Sequence, residues 1–366
     1  MKIQLLTFIV AMIFVSCKNE KQIVNGGDER ITFVGRTDRT APESPRQWAA
    51  GAYFTFGFEG QQCIVKLNDE NLYGQKYNII EVVVDDLPSQ KVLTNGIRNV
   101  IVIGTNNYTD TTSNVINVLP SLVGGKHQVT ICRDTETGMG YTQLLSVEAD
   151  KVYQWVPKTD LKIEFIGNSI TSGAESDTTS VPASTYEWGD WHRAYWGYGP
   201  RTARNMNAQW ALTSVSGIGL IHSCCNMNVT MPQVYDKYIL CEGKIDYDFS
   251  DFQPDIICSC LGQNDGIQDS VAFCSSYVDF VKNIVKHNPQ AKHIVLLNSP
   301  MDHSELDVWL RSMLTSVKNT LENDGISNVT TFFFSQAWNN GGLAHPSVEE
   351  HAQIASELTE YLKTIL

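Results

Sequence analysis

The sequence predicts an α/β protein in two parts, an N-terminal antiparallel β-sandwich and then a mostly parallel sheet with helices on both faces. Three observations predict this fold class. Apolar and polar residues alternate along the first part, apolar residues recur at helical spacing along the second, and strand and helix patterns take turns there. The pattern changes near residues 155–160, so we expect domains at residues 28–155 and 160–366.

The first part has the signals of short strands joined by turns. Residues 63–67 and 128–132 alternate between apolar and polar side chains, whereas residues 79–84 and 100–103 are runs rich in β-branched side chains. Pairs such as Gly-Gly and Asn-Gly separate these runs. Because residues 31–148 contain no convincing helical pattern, we expect strands alone there.

The second part has the pattern of strands that alternate with helices, which predicts a mostly parallel sheet. Ser347 and Glu350 form a capping box that starts the last helix. The predicted strands are residues 161–166, 255–261, 294–298 and 329–334, and apolar residues at three- and four-residue steps predict helices over residues 273–284 and 306–321. Such sheets carry their chemistry at the carboxyl ends of the strands.

Composition limits the classes of function. The 366 residues suffice for two domains, and a net charge of −13 without a basic stripe argues against nucleic acid as a partner. The sequence contains no C-x-x-C pair and no cluster of His and carboxylate residues, so nothing in it predicts a bound metal or another cofactor. Cys258 and Cys260 lie two apart in an apolar run, so we interpret them as small buried side chains of one strand, and the pairing of the cysteines cannot be deduced.

Residues 1–17 are interpreted as a targeting segment. Lys2 precedes a short apolar run that ends at Cys17, which resembles a bacterial lipoprotein signal in which this cysteine is lipidated. The alternative is a plain signal peptide with an incidental cysteine. The residue after Cys17 is Lys18 and not the Asp of inner-membrane retention, and the start resembles the surface-export signal of Bacteroidetes lipoproteins. We therefore expect an outer-membrane lipoprotein that faces the cell surface or the periplasm.

Two residues at a distance in the chain are candidates for acyl chemistry. Ser169 follows a predicted strand, which would place its hydroxyl at the strand tip near outward-pointing N–H groups, although a serine there could equally be a helix N-cap. His345 follows a Gly-rich loop just ahead of the capped last helix. A serine needs a neighbouring base to attack an acyl carbon, and imidazole suits that task. The alternative for His345 is a surface-loop histidine.

Two further strand tips carry residues suited to binding an oxyanion. Asn264 follows a strand and Gly262, and its amide could donate to a developing negative charge. Gly217 lies in a Ser-Gly-Ile-Gly run, where glycine allows close backbone approach. Each signal alone is equally consistent with an ordinary turn.

The order of these four blocks resembles the SGNH hydrolases. Gly167-Asn168-Ser169, then Gly217, then Gly262-Gln263-Asn264-Asp265, then His345-Pro346 correspond to the blocks of that superfamily. The resemblance implies that Ser169 is the nucleophile and His345 the base. It also implies that Gly217 and Asn264, with the N–H of Ser169, form the oxyanion hole.

The sequence departs from the superfamily in two places. Asn168 stands where Asp is usual before the serine, and Gly342 stands at the position of the triad Asp, three residues before the histidine. A Ser–His dyad follows, in which a backbone carbonyl or a residue elsewhere orients the imidazole. Asp265 and Glu349 are conceivable substitutes for the missing carboxylate.

The dyad and the N-terminal β part together resemble carbohydrate esterase family 2. Shared traces include residues 34–36, 83–85, 125–129 and 133–136. The resemblance implies a jelly-roll sandwich followed by a flavodoxin-like α/β/α domain, and deacetylation of xylan, glucomannan or related polymers. Trp188, Trp191, Trp196 and Trp338 lie in loops near the motifs and suit sugar stacking or core packing, and Trp338 is the candidate for substrate binding.

We therefore expect a serine esterase that removes acetyl groups from a plant-type polysaccharide, with no metal or organic cofactor. Its partners would be acetylated polysaccharide or oligosaccharide and, through the lipid anchor only, the membrane. Two alternatives stay open. One is a non-catalytic glycan-binding surface lipoprotein, motivated by the missing Asp, and the other is an esterase or lipase that acts on non-carbohydrate acyl esters.

Overall fold

The computed structural model describes residues 20–366 except residues 73, 75, 97, 156 and 158. The predicted targeting segment and Cys17 lie outside the described residues. Among the described residues, no helix combines the length and the apolar character needed to cross a membrane.

Eleven strands of the first part hydrogen-bond into one sheet. They are β1 (Gln22–Asn25), β2 (Thr32–Val34), β3 (Thr37–Asp38), β4 (Arg46–Gln47), β5 (Tyr53–Asp69), β6 (Ile79–Val84), β7 (Gln90–Leu93), β8 (Arg98–Gly104), β9 (Asn114–Val118), β10 (Gly125–Arg133) and β11 (Thr142–Tyr153). The only helical segment among the described residues of this part is a 3₁₀ turn, Thr137–Met139, so the expectation of strands alone is confirmed.

The long strand β5 organises this sheet. It pairs antiparallel with β2, β8, β10 and β11, and the only parallel pair of the described sheet joins β8 to β9. Strand β1 pairs with β11, so the sheet begins at Gln22, ahead of the predicted boundary at residue 28. Side chains of β5 that point inward, such as Phe56, Phe58 and Val65, are fully buried in the apolar core of the sheet.

The second part contains seven strands and six helices in the described residues. They are β12 (Lys162–Gly167), α1 (Ser169–Ser172), α2 (Tyr198–Asn205), β13 (Gln209–Ser214), α3 (Met231–Val234), β14 (Lys237–Ile239), β15 (Lys244–Asp246), β16 (Ile256–Cys260), α4 (Ser270–His287), β17 (His293–Leu297), α5 (Glu305–Asn323), β18 (Val329–Phe332) and α6 (Val348–Ile365). The predicted strands and helices are all present, with ends that shift by at most three residues.

Five of these strands form a parallel sheet in the order β13-β12-β16-β17-β18. Alternate side chains of β12 point to opposite faces, as the period of a strand requires. Phe165 packs with α2 and α6 on one face, whereas Ile166 packs with α4 and α5 on the other. Helices therefore cover both faces of the sheet, as the alternating pattern predicts.

The two parts share a continuous apolar core. Tyr53 of β5 packs on Trp210 of β13 with ring centroids 4.3 Å apart, and the indole N–H of Trp210 donates to the carbonyl of Gly51 at 2.9 Å. Cys132 and Val34 join the same cluster of buried side chains as Phe165. The N-terminal part is thus packed directly against the parallel sheet.

A buried arginine of the N-terminal part reaches into the second part. The Arg36 guanidinium donates to the carbonyls of Lys237 at 2.6 Å and Tyr235 at 2.7 Å, and to the Thr213 hydroxyl at 3.2 Å. The carboxylate of Glu164 lies 4.0 Å from it. The charge is therefore satisfied although it is removed from water.

The adjacent residues Cys224 and Cys225 form a disulfide. The other described cysteines are free, and Cys258 and Cys260 are buried in β16 as expected. The vicinal pair lies next to Gly217, because the N–H of Cys224 donates to the Gly217 carbonyl at 2.9 Å.

Candidate active site

Ser169 is the first residue of the short helix α1, at the carboxyl end of β12, the second strand in the order of the parallel sheet. The preceding residue, Asn168, is the N-cap, and its side-chain oxygen accepts from the N–H of Ile170 at 3.2 Å. The capping role that was an alternative for Ser169 thus belongs to its neighbour. The Ser169 hydroxyl is left for other partners, and the N–H at the first helical position has no acceptor within the helix.

The structure brings His345 to Ser169 across 176 residues of sequence. His345 Nε2 lies 2.8 Å from Ser169 Oγ, which is hydrogen-bonding distance. His345 precedes the last helix α6, whose capping box of Ser347 and Glu350 is present as predicted. The N-cap fixes the point at which the chain enters the helix and so fixes the end of the loop that carries the imidazole.

Two backbone carbonyls orient the other ring nitrogen of His345. Nδ1 lies 3.1 Å from the carbonyl oxygen of Gly342 and 3.2 Å from that of Leu343. An N–H at Nδ1 leaves Nε2 as the acceptor that faces the serine hydroxyl. Leu343 and Ala344 adopt left-handed φ values of 49° and 59°, which is the backbone bend that turns these carbonyls toward the ring.

The two candidate substitutes for a triad carboxylate are engaged elsewhere. Asp265 accepts hydrogen bonds from the backbone N–H groups of Leu220, Ile221 and His222 at 2.7–3.0 Å. Glu349 is exposed and accepts from the Ser347 hydroxyl at 3.2 Å. Of the two alternatives for orienting the imidazole, a backbone carbonyl or a residue elsewhere, these contacts favour the backbone carbonyl.

Gly217 and Asn264 follow the two strands that flank β12 in the sheet, so both lie at the same edge as Ser169. Gly217 has a φ of +84°, which glycine adopts without a steric penalty. One amide N–H of Asn264 donates to the carbonyl of Ile218 at 2.9 Å. Its second N–H donates to no acceptor among the described residues and is available to a ligand.

Burial lowers the pKa of His345 below its ordinary value of about 6.5. The hydrogen bonds to the carbonyls of Gly342 and Leu343 oppose this shift without cancelling it. The imidazole is therefore neutral at pH 7, which is the form that accepts a proton from a hydroxyl.

The prediction that Trp338 binds substrate is wrong for this structure. Its side chain is only 2% exposed, its ring packs edge-on against Phe334, and its indole N–H donates to Gln353 at 3.0 Å. A ring enclosed in the core cannot stack on a sugar. Trp191 is also buried, stacked on Tyr186.

Trp188 is the tryptophan of this region that faces solvent. Its side chain is 37% exposed, and its ring packs edge-on against His192 with centroids 4.9 Å apart. Trp196 is partly buried and its indole N–H donates to Glu81 at 3.0 Å. Of the four loop tryptophans, Trp188 therefore has the exposed ring face that stacking on a sugar requires.

Glu136, His192 and Glu175 form a cluster that the sequence does not predict, which we call the buried trio. His192 Nε2 lies 3.6 Å from Glu136, and its Nδ1 lies 3.7 Å from Glu175, with all three side chains almost wholly buried. The backbone carbonyl of Glu175 accepts from the N–H of Gly342 at 2.7 Å. Glu136 lay in a run that resembles the family, but nothing in the sequence linked it to residues 192 and 175.

Taken together, the edge of the sheet holds a hydroxyl, a neutral imidazole and several N–H donors. This set can form a covalent acyl intermediate and stabilise the oxyanion that precedes it. Among the described residues, no group of three or more His, Cys, Asp or Glu side chains is arranged to hold a metal ion.

Comparisons with known proteins find similarity to carbohydrate esterases. The sequence profile of the carbohydrate esterase 2 N-terminal family matches residues 33–111. A curated relative, the acetylxylan esterase / glucomannan deacetylase of Cellvibrio japonicus, is 25% identical over 96% of this chain and 95% of its own. The cellulase/esterase CelE of Acetivibrio thermocellus is 27% identical over 92% of this chain, which spans 39% of the length of that relative.

A solved structure has the same overall fold. The family two carbohydrate esterase from Cellvibrio japonicus superposes with a TM-score of 0.79, over 94% of this chain and 98% of the other, at 23% identity. The similarity covers both the antiparallel sheet and the parallel sheet. The resemblance to family 2 within the SGNH superfamily is therefore confirmed.

Proposed function

Because the chain is related to carbohydrate esterase family 2 over nearly its whole length, we propose that it is a serine esterase that removes acetyl groups from a plant-type polysaccharide. The observation that carries the proposal is the 2.8 Å contact between Ser169 Oγ and His345 Nε2 beside the N–H donors of the sheet edge. The name of the Cellvibrio relative supports acetylated xylan or glucomannan as the substrate class.

In the proposed reaction His345 takes the proton of the Ser169 hydroxyl while the oxygen attacks the acetyl carbonyl. The N–H groups of Ser169 and Gly217 and the amide of Asn264 donate hydrogen bonds to the oxyanion. Each donor stabilises the transition state by about 3 kcal/mol. The C–O bond to the sugar then breaks, and the sugar oxygen takes the proton from His345.

The second half of the reaction repeats these steps with water. His345 takes a proton from a water molecule, whose oxygen attacks the acetyl-enzyme, and acetate leaves as Ser169 regains its proton. Every proton transfer uses the imidazole, so the proposed chemistry needs no metal or organic cofactor. The Gly342 and Leu343 carbonyls hold the imidazolium that forms in each half, in place of the carboxylate of a triad.

We also propose the finer description of the fold. The strand order 2-1-3-4-5 of the parallel sheet, counted along the chain from β12, supports a flavodoxin-like domain over residues 160–366. The antiparallel strands around β5 support a jelly-roll sandwich over residues 28–155, extended by β1. Trp188 is proposed to stack on a sugar ring of the bound polymer.

The proposed location is the outer membrane of a bacterium, with the chain anchored by a lipid on Cys17. This proposal rests on the sequence of residues 1–17 alone. Expression in a Gram-negative host with radiolabelled palmitate tests it, because the wild-type chain should incorporate label and Cys17→Ala should not. Label in both proteins, or in neither, contradicts lipidation at this residue.

The experiment that tests the proposed activity measures acetate release from acetylated xylan, glucomannan and pectin. We expect release by the wild-type chain and a loss of at least about 1,000-fold in both Ser169→Ala and His345→Ala. A parallel assay compares 4-nitrophenyl acetate with 4-nitrophenyl octanoate. A wild type without activity would indicate a glycan-binding protein, and a preference for octanoate would indicate a lipase.

A further inference from the structure

The segment that follows β10 in the N-terminal part makes the contacts closest to the site. The Arg133 guanidinium donates to the carbonyls of Glu136 at 3.3 Å and Gly140 at 2.8 Å and so holds the segment in shape. The side chain of Asp134 accepts from the backbone N–H of Tyr195 at 2.7 Å. These hydrogen bonds therefore fix the segment on both sides of Glu136.

Glu136 holds the backbone next to the proposed oxyanion donor. Its Oε2 accepts from the N–H of Ser216 at 2.8 Å, and Ser216 immediately precedes Gly217. On the other side of the donor, the Gly217 carbonyl accepts from the N–H of Cys224 at 2.9 Å. The peptide unit that carries the Gly217 N–H thus lies between two anchored peptide units, and its direction is set by both.

The same carboxylate is connected to the loop that carries the base. The His192 ring lies between Glu136 and Glu175, at 3.6 Å and 3.7 Å. The Glu175 carbonyl accepts from the N–H of Gly342, and the Gly342 carbonyl faces His345 Nδ1. A side chain of the N-terminal part is therefore linked, through the His192 ring and Glu175, to the backbone that orients the imidazole.

We propose that Glu136 is a positioning residue for catalysis, which aims the Gly217 N–H at the oxyanion and, through His192 and Glu175, supports the loop of His345. This inference rests on the proposed function. It makes the N-terminal part a required component of the active site and not a separate sugar-binding unit. Glu136 itself need not touch the substrate, because it acts through the backbone of Ser216.

Electrostatics supports an ionised Glu136. Burial alone would raise its pKa, but the His192 ring and the N–H of Ser216 outweigh burial and lower the pKa below its ordinary value. An ionised carboxylate is a stronger acceptor than a neutral one, so it holds the Ser216 N–H more firmly. By contrast, burial raises the pKa of Glu175 at the other end of the trio.

The test compares two replacements of similar volume in the full chain. Glu136→Gln keeps an oxygen that accepts from Ser216, whereas Glu136→Met removes the acceptor. With 4-nitrophenyl acetate we expect kcat of Glu136→Met to fall about 100-fold, the loss typical of one oxyanion donor, with KM changed by less than about threefold. Glu136→Gln should stay within about tenfold of the wild-type kcat.

A second readout is binding of phenylboronic acid, whose adduct with a serine carries an oxygen at the oxyanion position. Its inhibition constant should rise in Glu136→Met in proportion to the fall in kcat. Should Glu136→Met fail to fold, Glu136→Ala is the second variant without an acceptor. Glu81→Gln is the matched control, because Glu81 is buried at the same interface and binds Arg193 and Trp196, and its kcat should stay within about threefold of wild type.

Three results would overturn the inference. These are wild-type kcat in Glu136→Met, equal losses in Glu136→Met and Glu136→Gln, or an equal loss in the Glu81 control. Ser169→Ala separates this failure from failure of the proposed function. An active wild type that is silenced by Ser169→Ala but not by Glu136→Met refutes the positioning role alone, and an inactive wild type refutes both.

Discussion

The carbonyl oxygen of Gly342 lies 3.1 Å from Nδ1 of His345, in the role that the resemblance to SGNH hydrolases would assign to a carboxylate. Backbone replaces side chain here because the site has no room for one. A Cβ on Gly342 would lie 2.6 Å from the Trp191 ring and 2.8 Å from the Glu175 carboxylate. The tight packing around residue 342 therefore explains both why this residue is glycine and why a backbone carbonyl orients His345.

Restoring an aspartate at residue 342 should therefore reduce activity. We expect both Gly342→Asp and Gly342→Ala to lower kcat about 100-fold, because the Cβ displaces Trp191 and shifts His345 away from Ser169. Acetate release at saturating substrate measures the loss. Gly125→Ala is the control, since its Cβ meets nothing nearer than 3.9 Å. Higher activity in Gly342→Asp would show that a triad can be rebuilt.

The pH dependence of the esterase should follow the depressed pKa of His345. The base is active when neutral, and burial lowers its pKa, so kcat/KM should rise with pH through a midpoint below about 6.5 and then reach a plateau. Rates on 4-nitrophenyl acetate between pH 4 and 8 measure this midpoint. NMR titration of His345 in Ser169→Ala gives an independent value, and a midpoint above 6.5 by both methods contradicts the prediction.

Trp188 should contribute to binding of the polymer but not to the chemical step. We expect Trp188→Ala to raise KM for acetylated polysaccharide about tenfold with kcat preserved, because stacking acts equally on substrate and transition state. KM for 4-nitrophenyl acetate, which has no sugar, should not change. If both substrates are affected equally, the role of Trp188 is to pack on His192.

Asp265 should stabilise the loop beside the oxyanion hole. Asp265→Asn replaces one acceptor oxygen with an NH₂ group, which would face the N–H of Leu220 because that N–H donates to both oxygens, whereas the N–H groups of Ile221 and His222 share Oδ1. We expect the free energy of unfolding to fall by about 2–3 kcal/mol, together with faster hydrogen exchange at these amides. Asp248→Asn is the control, because Asp248 is exposed and Asn also accepts from the N–H of Ser250. Unchanged hydrogen exchange at these amides would contradict the stabilising role of Asp265.

Removal of the buried Arg36 should destabilise the protein more than removal of an exposed arginine. Arg36→Ala leaves Glu164 buried without its cation and two carbonyls without a donor, so the free energy of unfolding should fall by about 3–5 kcal/mol. Urea denaturation measures the change. Arg39→Ala, at an exposed position nearby, should cost less than about 0.5 kcal/mol. Similar losses in the two variants would mean that the buried contacts contribute little.

The sequence predicts this site well wherever the chemistry follows from strand order. Ser169, Gly217 and Asn264 follow adjacent strands, so their meeting at one sheet edge is a consequence of parallel topology. The capping box of Ser347 predicted only that His345 lies just ahead of the last helix, and its role as the base was implied by the resemblance to the SGNH hydrolases. The elements were correct in type because their apolar periods are strong.

Contacts that depend on packing were not predictable. Trp338 lies seven residues before His345, but sequence distance does not reveal that its ring points into the core. The link from Glu136 to His192 joins loops from different parts of the chain, and no local pattern encodes it. The disulfide between Cys224 and Cys225 was not predictable either, since the sequence does not show whether adjacent cysteines are bonded to each other.

The shared core beneath the two sheets determines how this chain can be recombined. Tyr53 and Cys132 are buried against the side chains of β13 and β12, so each part has apolar side chains that the other part covers. A binding module joined by a flexible linker can be cut away and transplanted to another enzyme, but this β part cannot. Its removal would expose apolar side chains of the second part to water. Gene duplication or fusion therefore has to transfer the two parts together.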